Sequence, residues 1–117
     1  MIKVTIYQDE QQRISGFALE GHAEYASQGQ DIVCAAVSAL AQNTVNSIER
    51  FTADDFTAEV DEENGGLYVN IQPNYSKETK LLLDSLILGL QGIEGAVLWF
   101  ASDSGSAGDG GNHCFRQ

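Results

Sequence analysis

The chain has 117 residues, with 17 Asp and Glu against 6 Lys and Arg and a formal net charge of −11. This length makes a single domain that can bury a core without metals or disulfides, and no stretch approaches the roughly 18 apolar residues that span a bilayer. The acid excess disfavours direct nucleic-acid binding, which needs a basic face, and suits either plain solubility or attraction of a basic partner.

Ile2, Val4 and Ile6 alternate with other residues over 2–8 and predict a first strand. The same stretch lacks the layout of a signal peptide, so a cytoplasmic location is expected. Asp9-Glu10-Gln11-Gln12 reads as a turn, and a second strand over about 13–20 completes an antiparallel hairpin. Ile14 is out of phase with Phe17 and Leu19, which points to a bulge at Gly16.

A helix is predicted from Ile32 to about Phe51, with Asp31 as its N-cap. Val33, Val37, Leu40, Ala41, Val45 and Ile48 recur at helical spacing and give it one apolar face. A second hairpin follows. Phe56, Ala58 and Val60 alternate with polar residues before Asn64-Gly65-Gly66, and Leu67, Val69 and Ile71 do so after it.

Ser76 or Thr79 opens a second helix through about Gly92, with Leu82, Leu86 and Leu90 as its stripe. Leu81, Leu83, Ile87 and Leu88 lie off that stripe, so another element or a second subunit must cover them; a homodimer is expected. Ala96–Phe100 is a candidate short final strand, and residues 101–117 turn to Ser, Gly and Asp without periodicity. They read as a flexible or non-native tail behind a domain of residues 1–100. The whole predicts an α/β two-layer sandwich of order β-β-α-β-β-α, a mainly antiparallel sheet packed on two helices.

The chemistry concentrates between His22 and Cys34. A histidine leaves a strand, a loop bounded by Gly21 and Gly29 follows, and a cysteine falls in the first turn of a helix. With Asp31 as cap, Cys34 is the third helical residue, where unpaired amides and the helix dipole favour a thiolate. His22 then suits a general base or ion-pair partner, and first-turn amides, that of Cys34 included, suit an oxyanion. Ser38, one turn further on, is placed to donate a hydrogen bond, and the glycine-hinged loop is expected to be flexible.

A buried apolar cysteine and a hydrogen-bonded corner histidine explain the same residues without catalysis. No third residue that orients His22 stands out. A metal is not expected, since the core offers one Cys and one His, and His113-Cys114 in the tail is weak support for any site.

Gly21-His22-Ala23, Gly29, Asp31 and Val33-Cys34-Ala35-Ala36-Val37-Ser38 together resemble the signature of the ribosomal-processing cysteine protease family, Prp, and the similarity runs over about residues 1–95. The resemblance implies a dimeric bacterial cytosolic endopeptidase without a cofactor. It implies removal of the N-terminal extension of a basic large-subunit ribosomal protein, number twenty-seven, by a cut after two phenylalanines. It assigns catalysis to His22 and Cys34, with Asp31 and Ser38 in support and a flexible loop from Gly21 to Gly29. The end of the chain departs from the family pattern, which leaves a final edge strand in doubt. Two other readings remain open: a non-catalytic escort for a ribosomal protein or ribosome precursor, and a redox or acyl-transfer thiol enzyme. The latter lacks both a nearby resolving cysteine and a phosphate-cradling glycine motif.

Overall fold

The alternation in the first twenty residues produces β1 (Ile2–Gln8) and β2 (Ile14–Glu20) as an antiparallel pair, and the register carries the expected irregularity. The computed structural model describes residues 2–20, 30–61, 63, 65–102 and 113–116, and of residues 30, 31 and 113–116 the backbone alone. Tyr7 pairs with Gly16 and Gln8 with Ile14, so Ser15 is the extra residue of a bulge beside Gly16. That one-residue shift lets Ile14, Phe17 and Leu19 all be buried despite their conflicting phase. Gly16 is required by a close approach: a Cβ there would lie 2.3 Å from the Val69 carbonyl oxygen.

The remaining elements are α1 (Gln30–Phe51), β3 (Phe56–Asp61), β4 (Gly66–Ile71), α2 (Lys77–Gln91), β5 (Ala96–Ser102) and β6 (His113–Arg116). The strands form one sheet in the order β3-β4-β2-β1-β5-β6, with four antiparallel pairings and one parallel pairing between β1 and β5. This is the two-layer α/β sandwich that the sequence predicts, with a parallel strand pair at its centre.

The registers place Val4, Leu19, Leu67 and Val60 in one row, and Ile6, Phe17, Val69 and Ala58 in the next. Leu98 of β5 joins the first row beside Val4. These side chains form the floor on which the helices sit, and Val4, Ile6, Phe17, Val69 and Leu98 are at most 2% exposed. Each such side chain contributes about 1.5–3 kcal/mol by leaving water.

The last part of the chain differs from expectation. β5 runs two residues past the anticipated end at Phe100, and residues 113–116 pair antiparallel with it, Phe115 opposite Leu98. A free sheet edge accepts any extended backbone through its unpaired amides and carbonyls. A four-residue strand of that kind needs no hydrophobic alternation, so periodicity does not reveal it.

α1 buries Val37, Ala41 and Ile48 completely. α2 buries Thr79, Leu83, Leu86 and Leu90, so its inner stripe is rotated from the predicted Leu82, Leu86 and Leu90. The helix lies in the corner between the sheet and α1, and its contact arc faces both. Leu82 and Ile87 are half-buried beside that arc, while Leu81 and Leu88 are 69% and 72% exposed.

Asp54, in the loop between α1 and β3, ties that loop to the head of α2. Its Oδ2 accepts from the Ser76 amide at 3.0 Å, the Ser76 hydroxyl at 2.6 Å and the buried Thr79 hydroxyl. Ser76 in turn caps α2 by accepting from the Thr79 amide at 3.3 Å. These donors, Ser76 first and then Thr79, hold the Asp54 carboxyl below its ordinary value of 3.8. A carboxyl lowered in the folded state stabilises the fold above its unfolded value and loses that contribution as pH falls through the folded value. Urea unfolding of the wild type is expected to lose stability progressively below about pH 4, and Asp54→Ala should remove that part of the slope while lowering stability at pH 7.

Candidate active site

Cys34 lies in the second turn of α1, because the helix starts at Gln30 rather than Ile32. Asp31 is therefore the second helical residue, not the cap, and Cys34 the fifth rather than the third. Asp31 still falls within the first turn of the helix. The change matters for the oxyanion. In a regular α-helical ladder the amide four residues on bonds to the first carbonyl, so the Cys34 amide belongs to Gln30 and is not an orphan donor. The unpaired amides lie ahead of it. His22, Gly21, Gly29 and the loop between them fall outside the described residues.

The Cys34 thiol is free, half-buried and packed against the edge of the core. Its neighbour Val33 is set by the turn between α2 and β5. Gly95 there has φ +101°, and a Cβ on it would approach Val33 Cγ2 to 3.2 Å. Further along the interface, Gly89 of α2 faces Leu40, where a Cβ would meet Cδ1 at 3.0 Å. Small residues on the α2 side thus let α1 pack close to α2 and to the turn after it.

Ser38 is one turn after Cys34 on the same helical face and lines a groove of about 390 Å³ between α1 and the β3–β4 hairpin. The groove has an apolar floor and carries Glu20 and Asp61 at the end of the sheet. Tyr68 donates to Glu20 Oε2 at 3.3 Å. Burial first, and then the Glu20 charge, pushes the Tyr68 phenol above its ordinary 10.0. Sequence reasoning singled out Cys34 and Ser38 but did not identify the walls of the groove. These walls come from residues as far apart as Ile2 and Leu67, and no local pattern brings them together. Among the described residues no cluster of His, Cys, Asp and Glu fits a metal, and no helix is long and apolar enough to cross a membrane.

A half-buried thiol near the head of a helix, with an apolar groove leading away from it, fits the class of thiol-dependent peptide hydrolases. The chain belongs to the cysteine protease Prp family, whose model matches residues 1–97. It is 31% identical over 98 residues to the ribosomal processing cysteine protease Prp of Bacillus subtilis, spanning 80% of this chain and 88% of that protein. The Staphylococcus aureus relative of the same description is 30% identical over 94 residues, covering 80% of this chain and 89% of its own. In three dimensions the chain superposes on the S. aureus protease Prp in complex with a substrate peptide. The TM-score is 0.79 at 27% identity, over 86% of this chain and 99% of that one. The S. aureus protease with a covalently linked product peptide gives 0.74 at 28% identity over the same shares. The protein is accordingly a cysteine protease.

Gly95→Ala should lower stability by about 1–3 kcal/mol, through a left-handed backbone angle that alanine resists and a contact with Val33 that must give. Gly89→Ala should cost less, since the far end of Leu40 can turn away. Thermal unfolding of the two variants side by side checks the order.

Proposed function

We propose that the protein removes the N-terminal extension of large-subunit ribosomal protein twenty-seven in the cytoplasm, as a homodimer. The family match over residues 1–97 carries this reading. The described action of the relatives, ribosomal processing, supplies the substrate class. A net charge of −11 suits a basic ribosomal protein, because opposite fields raise the encounter rate.

In this mechanism the Cys34 thiolate attacks the carbonyl carbon of the scissile bond, with His22 as base or imidazolium partner. The oxyanion is held by amides at the head of α1 that the helical ladder leaves unpaired. The tetrahedral intermediate collapses to a thioester while His22 protonates the leaving amine. Water activated by the same imidazole then hydrolyses the thioester and restores the thiol. Asp31 contributes its charge near the helix head and Ser38 a hydroxyl one turn from sulfur. The loop between Gly21 and Gly29 closes over the bound peptide.

Mass spectrometry of the ribosomal protein precursor mixed with the enzyme should show one cut, after the aromatic pair. Cys34→Ala should abolish it, a loss of at least about 1,000-fold in rate. A precursor that stays whole but co-purifies would favour an escort role instead.

The exposed Leu81 and Leu88 sit seven residues apart on the outer face of α2 and suit the interface of the homodimer. Leu81→Glu with Leu88→Glu should shift the protein from dimer to monomer in light scattering at micromolar concentration.

A further inference from the structure

We infer that the side of the sheet facing away from the helices carries an exosite at Tyr68, flanked by Glu20 and Glu59. It holds a lysine or arginine side chain from the basic body of the substrate protein, beyond the segment that is cut. The exosite deepens the protease reading and rests on it. Lys3, Thr5 and Tyr7 alternate with the buried Ile2, Val4 and Ile6, so they stand on the side opposite the helix layer. The registers extend this side into a row of Trp99, Thr5, Ala18, Tyr68 and Glu59 across five strands. Among the described residues both helices pack on the other side.

Trp99 shows what a ring on this side does with a cation. Lys3 is the register partner of Glu20, yet its ammonium stands over the Trp99 ring, 5.2 Å from the centroid. Tyr68 is the second ring of the row, and among the described residues no cation stands over it. A carboxylate lies on each side of it. Glu20 accepts its hydroxyl at 3.3 Å, and the exposed Glu59 is its register partner on β3. Asp61 adds a third carboxylate one row along the same side of β3. The ring is also fixed in place: it leans over Gly66, where a Cβ would lie 2.9 Å from the phenolic oxygen. A fixed ring between carboxylates takes a cationic side chain, with the ring face and the acids both contributing. An acidic segment or a phosphate backbone is repelled by the same groups.

The place of the ring fixes which part of the substrate reaches it. Glu20 is the last residue of β2, and Lys3 opposite it follows Ile2, which pairs with Ala96. Gly95 precedes Ala96, and a Cβ on it would meet Val33, the neighbour of Cys34. Ring and thiol therefore lie at the same end of the sheet, on opposite sides of it. A path round that end is about 20 Å or longer, the reach of roughly six extended residues. Residues adjoining the cut cannot span it, and a basic residue further into the body can.

The test uses the full chain with Glu59→Lys, which reverses a charge at an exposed strand position, and Tyr68→Leu, which removes the ring. Glu10→Lys, in the exposed β1–β2 turn at the other end of the sheet, changes the net charge equally and serves as the control. Cleavage of the full-length ribosomal protein precursor is compared with that of a peptide of about ten residues centred on the cut, too short to reach Tyr68. The expected result is a rise of about 10-fold in KM for the precursor with Glu59→Lys and with Tyr68→Leu. The turnover rate and the peptide kinetics stay as in the wild type, and Glu10→Lys changes KM by less than about twofold. If Tyr68→Leu fails to fold, Glu59→Lys decides alone. Equal effects of Glu59→Lys and Glu10→Lys would reduce the exosite to steering by net charge and overturn it, leaving the protease reading intact. An unchanged KM, an equal effect on peptide and precursor, or an oligomer broken by Glu59→Lys would overturn it too. If the wild type cleaves neither substrate, the protease reading fails, and fluorescence anisotropy with labelled precursor decides the exosite. Binding weakened about 10-fold by Glu59→Lys and not by Glu10→Lys upholds it, and binding that is absent or indifferent to Glu59→Lys overturns it.

Discussion

The docking of α1 on the sheet is the constraint from which the other features follow. Val37, Ala41 and Ile48 are fully buried, and they repeat at intervals of four and seven, so a single line along the helix is pinned to the floor. That line sets which face of the helix Cys34 occupies against the edge of the core. It also decides what the helix fails to cover, and the groove beside β3 is the uncovered remainder. Shifting the line by one residue would rotate the helix by about 100°, which would bury Ser38 or expose Val37 and dissolve the relation between thiol and groove.

Two kinds of contact hold the line in place. At the upper end, Gly95 and Gly89 let α2 and the turn after it approach Val33 and Leu40. At the lower end, one carboxylate gathers the donors of the α2 cap. Apolar packing alone would leave α1 able to slide along its axis. The Asp54 cluster resists sliding because its hydrogen bonds tolerate only a few tenths of an ångström.

Much of this was readable from the residues. The strands β1 to β4, both helices and the bulge near Gly16 follow from alternation, helical spacing and the phase conflict at Ile14. That Cys34 and Ser38 lie one turn apart on α1 follows from their spacing of four. What escaped was set by long-range packing. The inner stripe of α2 includes Thr79, a polar residue whose burial makes sense only once Asp54, 25 positions away, accepts its hydroxyl. The start of α1 moved by two residues because a good capping residue is equally at home in a first turn. The parallel pairing of β1 with β5 has no local signature, and neither does the short strand β6. The groove exists only because α1 stops short of β3, a fact about three-dimensional coverage rather than pattern.

The parallel pairing has a temporal consequence. β1 lies at the centre of the sheet, and one of its two neighbours is built from Ala96–Ser102, about a hundred residues later. Strand pairs so distant in sequence close late, since the entropy of the intervening loop must be lost before any bond is gained. During synthesis the first strand and the thiol helix emerge early, but half of the central strand's hydrogen-bonding edge stays open until most of the chain has left the ribosome. The glycine turn that sets Val33 also arrives only then. A chain that has not yet released β5 therefore carries the thiol helix without the strand edge and the glycine turn that frame it.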